Sequence, residues 1–255
     1  MPIAAIHGFL RAAIVIVAGM GAGVANGIAG GGSFITFPVL LALGVPALTA
    51  NVSSSVGVLP SYVGGIAGFR AELTGTRPLV VSLVPACVVG SLVGTALLLG
   101  GTPAEFRTVV PWLIGGATIA FALQPLVLRA VAGVPHDHPT RRALLQAGTF
   151  AIAVYGGYFG AGLGIMLLAV MGLALTDDLA TLSGLRNVLS ILINAVAAVV
   201  FVIRGLLAWD VVAYLWIGTG LGGVIGTVAI RRLRPVWLRV VIIAIGVATT
   251  IRLVV

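Results

Sequence analysis

Charged residues are scarce in this sequence, and lysine is absent altogether. Only 8% of the 255 residues are charged and 60% are hydrophobic, whereas a soluble domain carries about 25% charged residues. The chain is therefore predicted to be an all-α polytopic membrane protein, because long apolar runs span a bilayer as helices. The net charge of +8 comes from arginine. In short loops between spans it follows the positive-inside rule and does not indicate a nucleic-acid partner.

Groups that carry catalytic or metal chemistry are nearly missing from the apolar runs. The single cysteine, Cys87, excludes an intramolecular disulfide, and the histidines lie at the terminus or in a polar linker. The sequence contains no phosphate-binding loop, nucleophile elbow or HExxH pattern. We therefore predict no enzyme, no cofactor and no metal site. The carboxylates all lie in or beside loops, which disfavours a buried proton relay: they are Glu72, Glu105, Asp137, Asp177, Asp178 and Asp210.

Hydrophobic runs divide the chain into two halves. Residues 1–128 and 143–255 are each predicted to form a transmembrane repeat of about five segments, and 129–142 is predicted to be a basic cytoplasmic linker. Most segments approach the ~20 residues that a spanning helix needs. The second segment of each half is shorter, which leaves open whether it spans. The predicted segments are 9–28, 33–44, 48–69, 79–100, 109–128, 143–160, 163–175, 180–203, 211–230 and 238–255.

A shift of 132 residues aligns the two halves without gaps. Glycine, threonine, proline and arginine keep this register from one end of the halves to the other, so we predict a tandem duplication within one membrane domain. The matched pairs include Gly90 with Gly222, Gly94 with Gly226, Thr95 with Thr227, Pro103 with Pro235 and Arg107 with Arg239.

The arginines predict the orientation of the two repeats. Five crossings per half would invert the repeats and place loops 70–77, 129–142 and 231–239 on one side. That side would hold nine arginines and the other side four, as the positive-inside rule requires. We therefore predict inverted repeats with both termini outside. The nine are Arg70, Arg77, Arg129, Arg141, Arg142, Arg231, Arg232, Arg234 and Arg239; the four are Arg11, Arg107, Arg204 and Arg252.

Two glycine-rich motifs, Gly27–Ser33 and Tyr155–Gly164, interrupt apolar segments at corresponding places in the halves. Glycine costs about 1 kcal/mol relative to alanine inside a helix, so each motif predicts a broken helix of the kind that forms sites in transporters. Free backbone N–H groups at such breaks attract anions. The alternative is that the glycines only allow close helix packing. The candidate anion-binding glycines are Gly30, Gly31, Gly32, Gly162 and Gly164.

Arg186 is a charged residue well inside a predicted segment, 180–203. Ionisable groups at membrane depth are costly and are usually functional, and a guanidinium suits carboxylate, sulfonate or phosphate groups. We therefore predict that Arg186 binds an anion. The alternatives are snorkelling to the interface or pairing with Asp177 or Asp178, although Asp177 lies about 13 Å away along a helix.

Polar residues also cluster at the corresponding place in the first half. Under the shift of 132 residues, Ser54 aligns with Arg186 and Ser55 with Asn187, so these residues could line one central site. The alternative is that serines in membrane helices bond their own backbone or pack closely. The candidates here are Asn51, Ser53, Ser54, Ser55 and Asn187, with Asn26, Asn194, Tyr155 and Tyr158 as weaker ones.

The motifs and their order resemble the TauE/SafE sulfite exporter family. The likeness is carried by the Gly27–Gly32 break, by Gly44–Ala47 leading into Asn51–Ser55, and by Gly160–Gly164 followed by Ala180-Thr181 and Asn187. The resemblance covers nearly the whole chain. It implies a multi-pass protein of the bacterial inner membrane that transports a small sulfur-containing anion. The prediction for Arg186 rests on the residue argument alone.

Together these observations predict a secondary transporter that exports a small sulfur-containing anion, sulfite or an organosulfonate. A cytoplasm-negative potential favours export of a monoanion by about 2.3 kcal/mol per 100 mV, so no coupled ion is required. An uptake permease for an organosulfonate or another small organic anion is one alternative. A membrane assembly or anchoring subunit without transport activity is another. The expected partners are the small anion and the lipid bilayer, and a homodimer is left open.

Overall fold

The computed structural model describes residues 3–28, 30–131, 139–175, 177–229 and 235–254. These residues form eleven helices and no strand, which confirms the predicted all-α class. The helices are α1 (Ile3–Ile28), α2 (Ser33–Ala42), α3 (Ala47–Gly57), α4 (Leu59–Gly68), α5 (Arg77–Gly100), α6 (Pro103–Val131), α7 (Pro139–Tyr158), α8 (Leu163–Ala174), α9 (Leu179–Ile203), α10 (Trp209–Ala229) and α11 (Pro235–Val254).

Within the described residues, four helical stretches are long and apolar enough to cross a membrane. They are Gly8–Gly27, Arg77–Gly100, Leu179–Ile203 and Trp209–Gly226. Large apolar side chains such as Val89, Leu221 and Val224 are exposed on these helices. In a soluble protein such a surface would be a liability, but in a bilayer it faces lipid. The chain is therefore a multi-pass membrane protein.

The two glycine motifs end one helix and start another that runs back along it. Gly32 lies beside Asn26 and Ala22, so α2 returns antiparallel to α1. In the second half, Leu163 lies beside Gly156 and Val170 beside Gly148, so α8 returns along α7. With 10 and 12 residues, α2 and α8 are about 15–18 Å long. Each is therefore about half as long as the hydrocarbon core is thick.

The predicted segment 48–69 is not one helix, because α3 ends and α4 begins around Val58. Pro60 stands at the start of α4 and has no N–H to donate to the Val56 carbonyl. That carbonyl accepts a hydrogen bond from the Trp216 indole instead, at 3.0 Å. The corresponding position in α9 is Leu192, and α9 is continuous. The prediction of a single helix was wrong because this break depends on proline and on a distant tryptophan.

Helical structure extends into both ends of the predicted linker. Helix α6 continues to Val131 and α7 begins at Pro139, so the ends of 129–142 belong to helices. The middle of the predicted linker, 132–138, lies outside the described residues.

Close helix crossings pair α1 with α10 and α5 with α7. Gly19 lies beside Gly218, and a Cβ on Gly222 would overlap the Met20 carbonyl. In the other pair, a Cβ on Gly94 would overlap the Val154 carbonyl oxygen. Small residues at such crossings let the backbones approach, which is how helices associate where lipid removes the hydrophobic driving force.

We expect Gly94→Ala to lower the stability of the folded protein by about 1–3 kcal/mol, because the added methyl group has no room at the crossing of α5 and α7. The measurement is the apparent melting temperature in detergent. Gly116→Ala on α6 is the matched control, because nothing lies within 4 Å of a Cβ at that position. Equal melting temperatures for the two variants would contradict the close crossing.

Candidate functional site

The breaks that end α1 and start α8 meet inside the bundle. A Cβ on Gly30 would lie 2.9 Å from Gly164 Cα and 3.0 Å from Arg186 Nη1. A Cβ on Gly164 would in turn lie 3.2 Å from Arg186 Cδ. Three of the residues singled out in the sequence, from three different helices or breaks, are therefore in direct contact.

Glycine is required at the two breaks for conformational reasons as well. Gly30 has φ +84° and Gly162, the residue before α8, has φ +78°. An L side chain in this left-handed region costs about 1–2 kcal/mol. Gly162 also faces the Phe34 ring, which would lie 3.0 Å from a Cβ at this position. The breaks are thus fixed by both backbone conformation and lack of space.

Arg186 is the largest fully buried side chain among the described residues, with 0% exposure. Its Nη2 donates to the Asn26 carbonyl at 2.6 Å and to Asn187 Oδ1 at 3.2 Å. Neither alternative reading of the sequence applies. The buried guanidinium does not snorkel to the interface, and its hydrogen-bond partners among the described residues are Asn26 and Asn187, not Asp177 or Asp178. Hydrogen bonds from the side chain and the backbone N–H of Thr181 lower the pKa of Asp178.

Several donors on α9 at and near Arg186 in sequence have no hydrogen-bond partner among the described residues. They are Nε and Nη1 of Arg186, Nδ2 of Asn187 and the hydroxyl of Ser190. A buried polar group left unpaired costs about 1–3 kcal/mol, and more when it is charged. Unpaired donors around one positive charge are chemically suited to an anion with several acceptor atoms.

The helix starts contribute fewer free donors than the glycine motifs suggested. Phe34 N bonds Gly31 O at 3.1 Å, and Gly32 N bonds Asn26 Oδ1 at 2.7 Å. At the second break, Leu163 N bonds Gly160 O at 3.3 Å and Ile165 N bonds Gly162 O at 3.0 Å. No hydrogen bond is recorded among the described residues for the N–H groups of Gly31, Gly162 and Gly164. The uncommitted donors of the site are therefore both side-chain groups and a few backbone N–H groups, and the glycines also let the breaks touch.

The serine-rich stretch of α3 has hydrogen-bond partners of its own. Ser54 shares a hydrogen bond with Thr36 of α2, and Asn51 Nδ2 donates to the Tyr158 carbonyl at 3.0 Å. Ser53 accepts from the Ala208 N–H at 3.1 Å. Ser55 Oγ would lie 3.0 Å from a Cβ on Gly160. None of the recorded hydrogen bonds joins these residues to Arg186.

Two of the weaker candidates shape the breaks, and residues not singled out complete the network. The Asn26 side chain holds Gly32 N and donates to Ser61 Oγ at 2.9 Å. Tyr155 OH donates to the Ala161 carbonyl at 2.7 Å. Sequence reasoning missed Ser61 and Ser190, which no pattern separates from other serines.

A surface cleft of about 470 Å³ lies elsewhere, between α1 and α2. Its lining is apolar and includes none of the candidate site residues: Ala13, Ile14, Val17, Ala18, Ile35 and Val39. The cleft therefore offers an anion no hydrogen-bond donors from side chains, and we do not assign the site to it.

Lipid-facing helices around interrupted hairpins with a buried, partly unpaired arginine define a membrane transporter. The chain belongs to the TauE/SafE sulfite exporter family, whose model, "Sulfite exporter TauE/SafE", matches residues 15–253. It is 27% identical over 219 residues to a "Probable membrane transporter protein" of Haemophilus influenzae, covering 84% of this chain and 83% of that protein. It is 24% identical over 250 residues to "Probable membrane transporter protein ORF9" of Sinorhizobium sp, covering 94% and 91%. The resemblance inferred from the motifs is confirmed.

We expect Gly30→Ala to destabilise the protein more than Gly44→Ala. Both glycines have a positive φ, at +84° and +79°, but nothing lies within 4 Å of a Cβ on Gly44. The conformational penalty of about 1–2 kcal/mol is therefore common to both variants. Only in Gly30→Ala does the added Cβ also press against Gly164 and Arg186.

The measurement is the fraction of monodisperse protein that survives a series of heating steps before size-exclusion chromatography. A Gly44→Ala variant as heat-labile as Gly30→Ala would show that contact between the two breaks has no part in stability.

Proposed function

We propose that this transporter exports a small sulfur-containing anion, sulfite or an organosulfonate, and that Arg186 binds the anion where the two breaks meet. The observation that carries the proposal is the fully buried guanidinium, of which Nε and Nη1 have no partner. The family name and the names of the two relatives support transport as the activity. The described residues around Arg186 supply donors, as an anion requires.

Charge balance explains why an anion fits this position. A charged side chain at membrane depth costs at least about 2.5–3.5 kcal/mol and is normally paired. The hydrogen-bond partners of Arg186 are a carbonyl and an amide, both uncharged. A bound anion therefore supplies the counter-charge that the described protein groups do not supply. A non-transporting subunit would have no use for unpaired donors at this depth, so we favour transport.

Access to Arg186 requires the two breaks to separate. Gly30 and Gly164 are in contact and Arg186 is fully buried, so the site is closed in this conformation. We propose that the two halves are duplicated, inverted repeats that rock about this contact.

The pattern of helix packing supports inverted repeats. Gly184 of α9 lies beside Phe69 and Asn187 lies beside Gly65, so α9 runs antiparallel to α4. The pairing of α1 with α10 and of α7 with α5 is the exchange that a two-fold relation between halves produces.

The proposed direction of transport is based on the work that the membrane potential does on a charged substrate. A cytoplasm-negative potential drives a monoanion outward with about 2.3 kcal/mol per 100 mV. Uptake of the same anion would need a coupling ion, and Arg186 has no carboxylate partner among the described residues. Export is therefore the simpler direction.

We expect Arg186→Ala to abolish sulfite flux in proteoliposomes, because the anion loses its only charged ligand at the site. Arg186→Lys keeps the charge but loses the planar fork, so we expect it to retain a small part of the flux. The control is Arg204→Ala, an exposed arginine at the C-terminal end of the same helix.

Correct folding is checked by size-exclusion chromatography, since Arg186→Ala also removes the bond to Asn26. Undiminished sulfite and organosulfonate flux in a well-folded Arg186→Ala protein would refute the proposed site. Flux of the control at the level of the unmodified protein is required for the comparison.

We expect the loops after α4 and after α9 to lie on opposite sides of the membrane if the repeats are inverted. Single cysteines replace Arg70 or Arg204, both exposed, in a Cys87→Ala background. A membrane-impermeant maleimide applied to intact spheroplasts should label only one of the two. Labelling of both from the same side would exclude the inverted arrangement.

A further inference from the structure

We propose that Ser190 is a further ligand of the transported anion, and that its hydroxyl, together with Arg186, selects oxoanions over halides. The proposal rests on the proposed function, because it places the anion at Arg186. Nothing in the sequence distinguished this serine from the others in the spans.

Ser190 lies one helical turn after Arg186 on α9, so the two side chains share a face of that helix. Both are fully buried, with 0% exposure. The turn between them advances about 6 Å along the helix axis. The proposal places a ligand of the guanidinium against this same face of α9, where the hydroxyl is the next polar side-chain group.

The hydroxyls of Ser190 and of Thr149 on α7 are the two buried helical hydroxyls that have no hydrogen-bond partner among the described residues. Of the two, Ser190 is the one that lies on α9 with Arg186. Helical serines and threonines commonly donate to the carbonyl four residues earlier. Ser183, Thr118 and Thr250 do so here, at 2.7, 2.7 and 2.8 Å. Ser190 Oγ makes no such bond and has no other partner among the described residues. A buried donor that forgoes its local acceptor is available to a ligand.

The backbone carbonyl of Ser190 is bonded by a side chain one turn further along the same face of α9. Asn194 Nδ2 donates to the Ser190 carbonyl at 2.9 Å, and Asn194 is itself buried. The backbone of Ser190 is therefore bonded while its hydroxyl stays free. This arrangement positions the hydroxyl without occupying it.

The chemistry of these donors defines the class of ligand. The guanidinium has two nitrogen atoms without a partner, Nε and Nη1, which carry three N–H groups between them, and Ser190 adds a neutral O–H. An oxoanion presents several oxygen atoms and can accept from both groups at once. A halide presents a single centre and gains less from a second, separated donor. Removing the hydroxyl should therefore reduce the preference for an oxoanion.

The test compares Ser190→Ala with Ser183→Ala. Ser183 is a buried serine of the same helix, but its hydroxyl already donates to the Leu179 carbonyl. Each variant is reconstituted in proteoliposomes, and sulfite flux is measured over a range of sulfite concentrations with and without competing chloride. We expect Ser190→Ala to raise the KM for sulfite about tenfold, which corresponds to about 1.4 kcal/mol. It should also make chloride a better competitor, whereas Ser183→Ala should stay within about twofold of the unmodified protein.

Melting temperatures separate binding from folding. The free hydroxyl contributes no hydrogen bond to the closed conformation and is buried without a partner, so Ser190→Ala should melt no lower than the unmodified protein in the absence of sulfite. Sulfite should raise that temperature less than it does for the unmodified protein. Should the alanine variant fold poorly, Ser190→Cys keeps the shape with a weaker donor and should show the same raised KM.

The two proposals fail in different ways. Equal KM values and equal chloride competition for Ser190→Ala and Ser183→Ala, while Arg186→Ala is inactive, would overturn the role of Ser190 alone. Full sulfite flux through folded Arg186→Ala would overturn the proposed function together with this inference.

Discussion

A guanidinium charge buried inside the bundle is the constraint on which the rest of the structure depends. Arg186 is met by the Asn26 carbonyl, in the last turn of α1, at 2.6 Å. Carbonyls at a helix C-terminus lack intrahelical partners and carry a negative partial charge. The glycine break and the arginine therefore depend on each other, because the break ends α1 and leaves the Asn26 carbonyl free to accept a hydrogen bond from the charged guanidinium. The C-terminus of a helix carries only about half a negative charge. It therefore compensates the positive charge of Arg186 only in part, and the site stays electropositive.

The small residues of this chain serve that arrangement. Contact between Gly30 and Gly164 brings the end of α1 and the start of α8 against the arginine from two sides. On Asn187, the neighbour of Arg186, the amide nitrogen packs where a Cβ of Gly65 would be. Larger residues at these places would push the breaks apart and admit water to the charge. Dense packing by glycine thus keeps the dielectric low and the electrostatics strong.

Features encoded locally could be predicted from the sequence, and those that depend on distant partners could not. Clustered glycines in apolar runs predict broken helices, and one arginine inside such a run predicts a buried charge. At the break around Val58, the carbonyl of Val56 is free, and the indole N–H of Trp216, 160 residues away in sequence, donates a hydrogen bond to it. The alignment of Ser54 with Arg186 suggested a shared site, yet Ser54 bonds Thr36. No sequence pattern separates Ser190 from Ser183. The structure does, because the Ser183 hydroxyl donates to Leu179 O and the Ser190 hydroxyl has no partner among the described residues.

A buried arginine, Arg186, is present in the second half of the chain and has no charged counterpart in the first half. If the halves are duplicates, the counterpart of Arg186 is the uncharged Ser54. Two facing arginines would hold an anion strongly and slow its release, because binding energy gained at rest must be returned when the anion leaves. Under the proposed function, a single arginine already shared with the Asn26 carbonyl would bind the anion more weakly. In that proposal the guanidinium returns to the carbonyl as the anion departs, so the hydrogen bond that stabilises the empty site would also favour release.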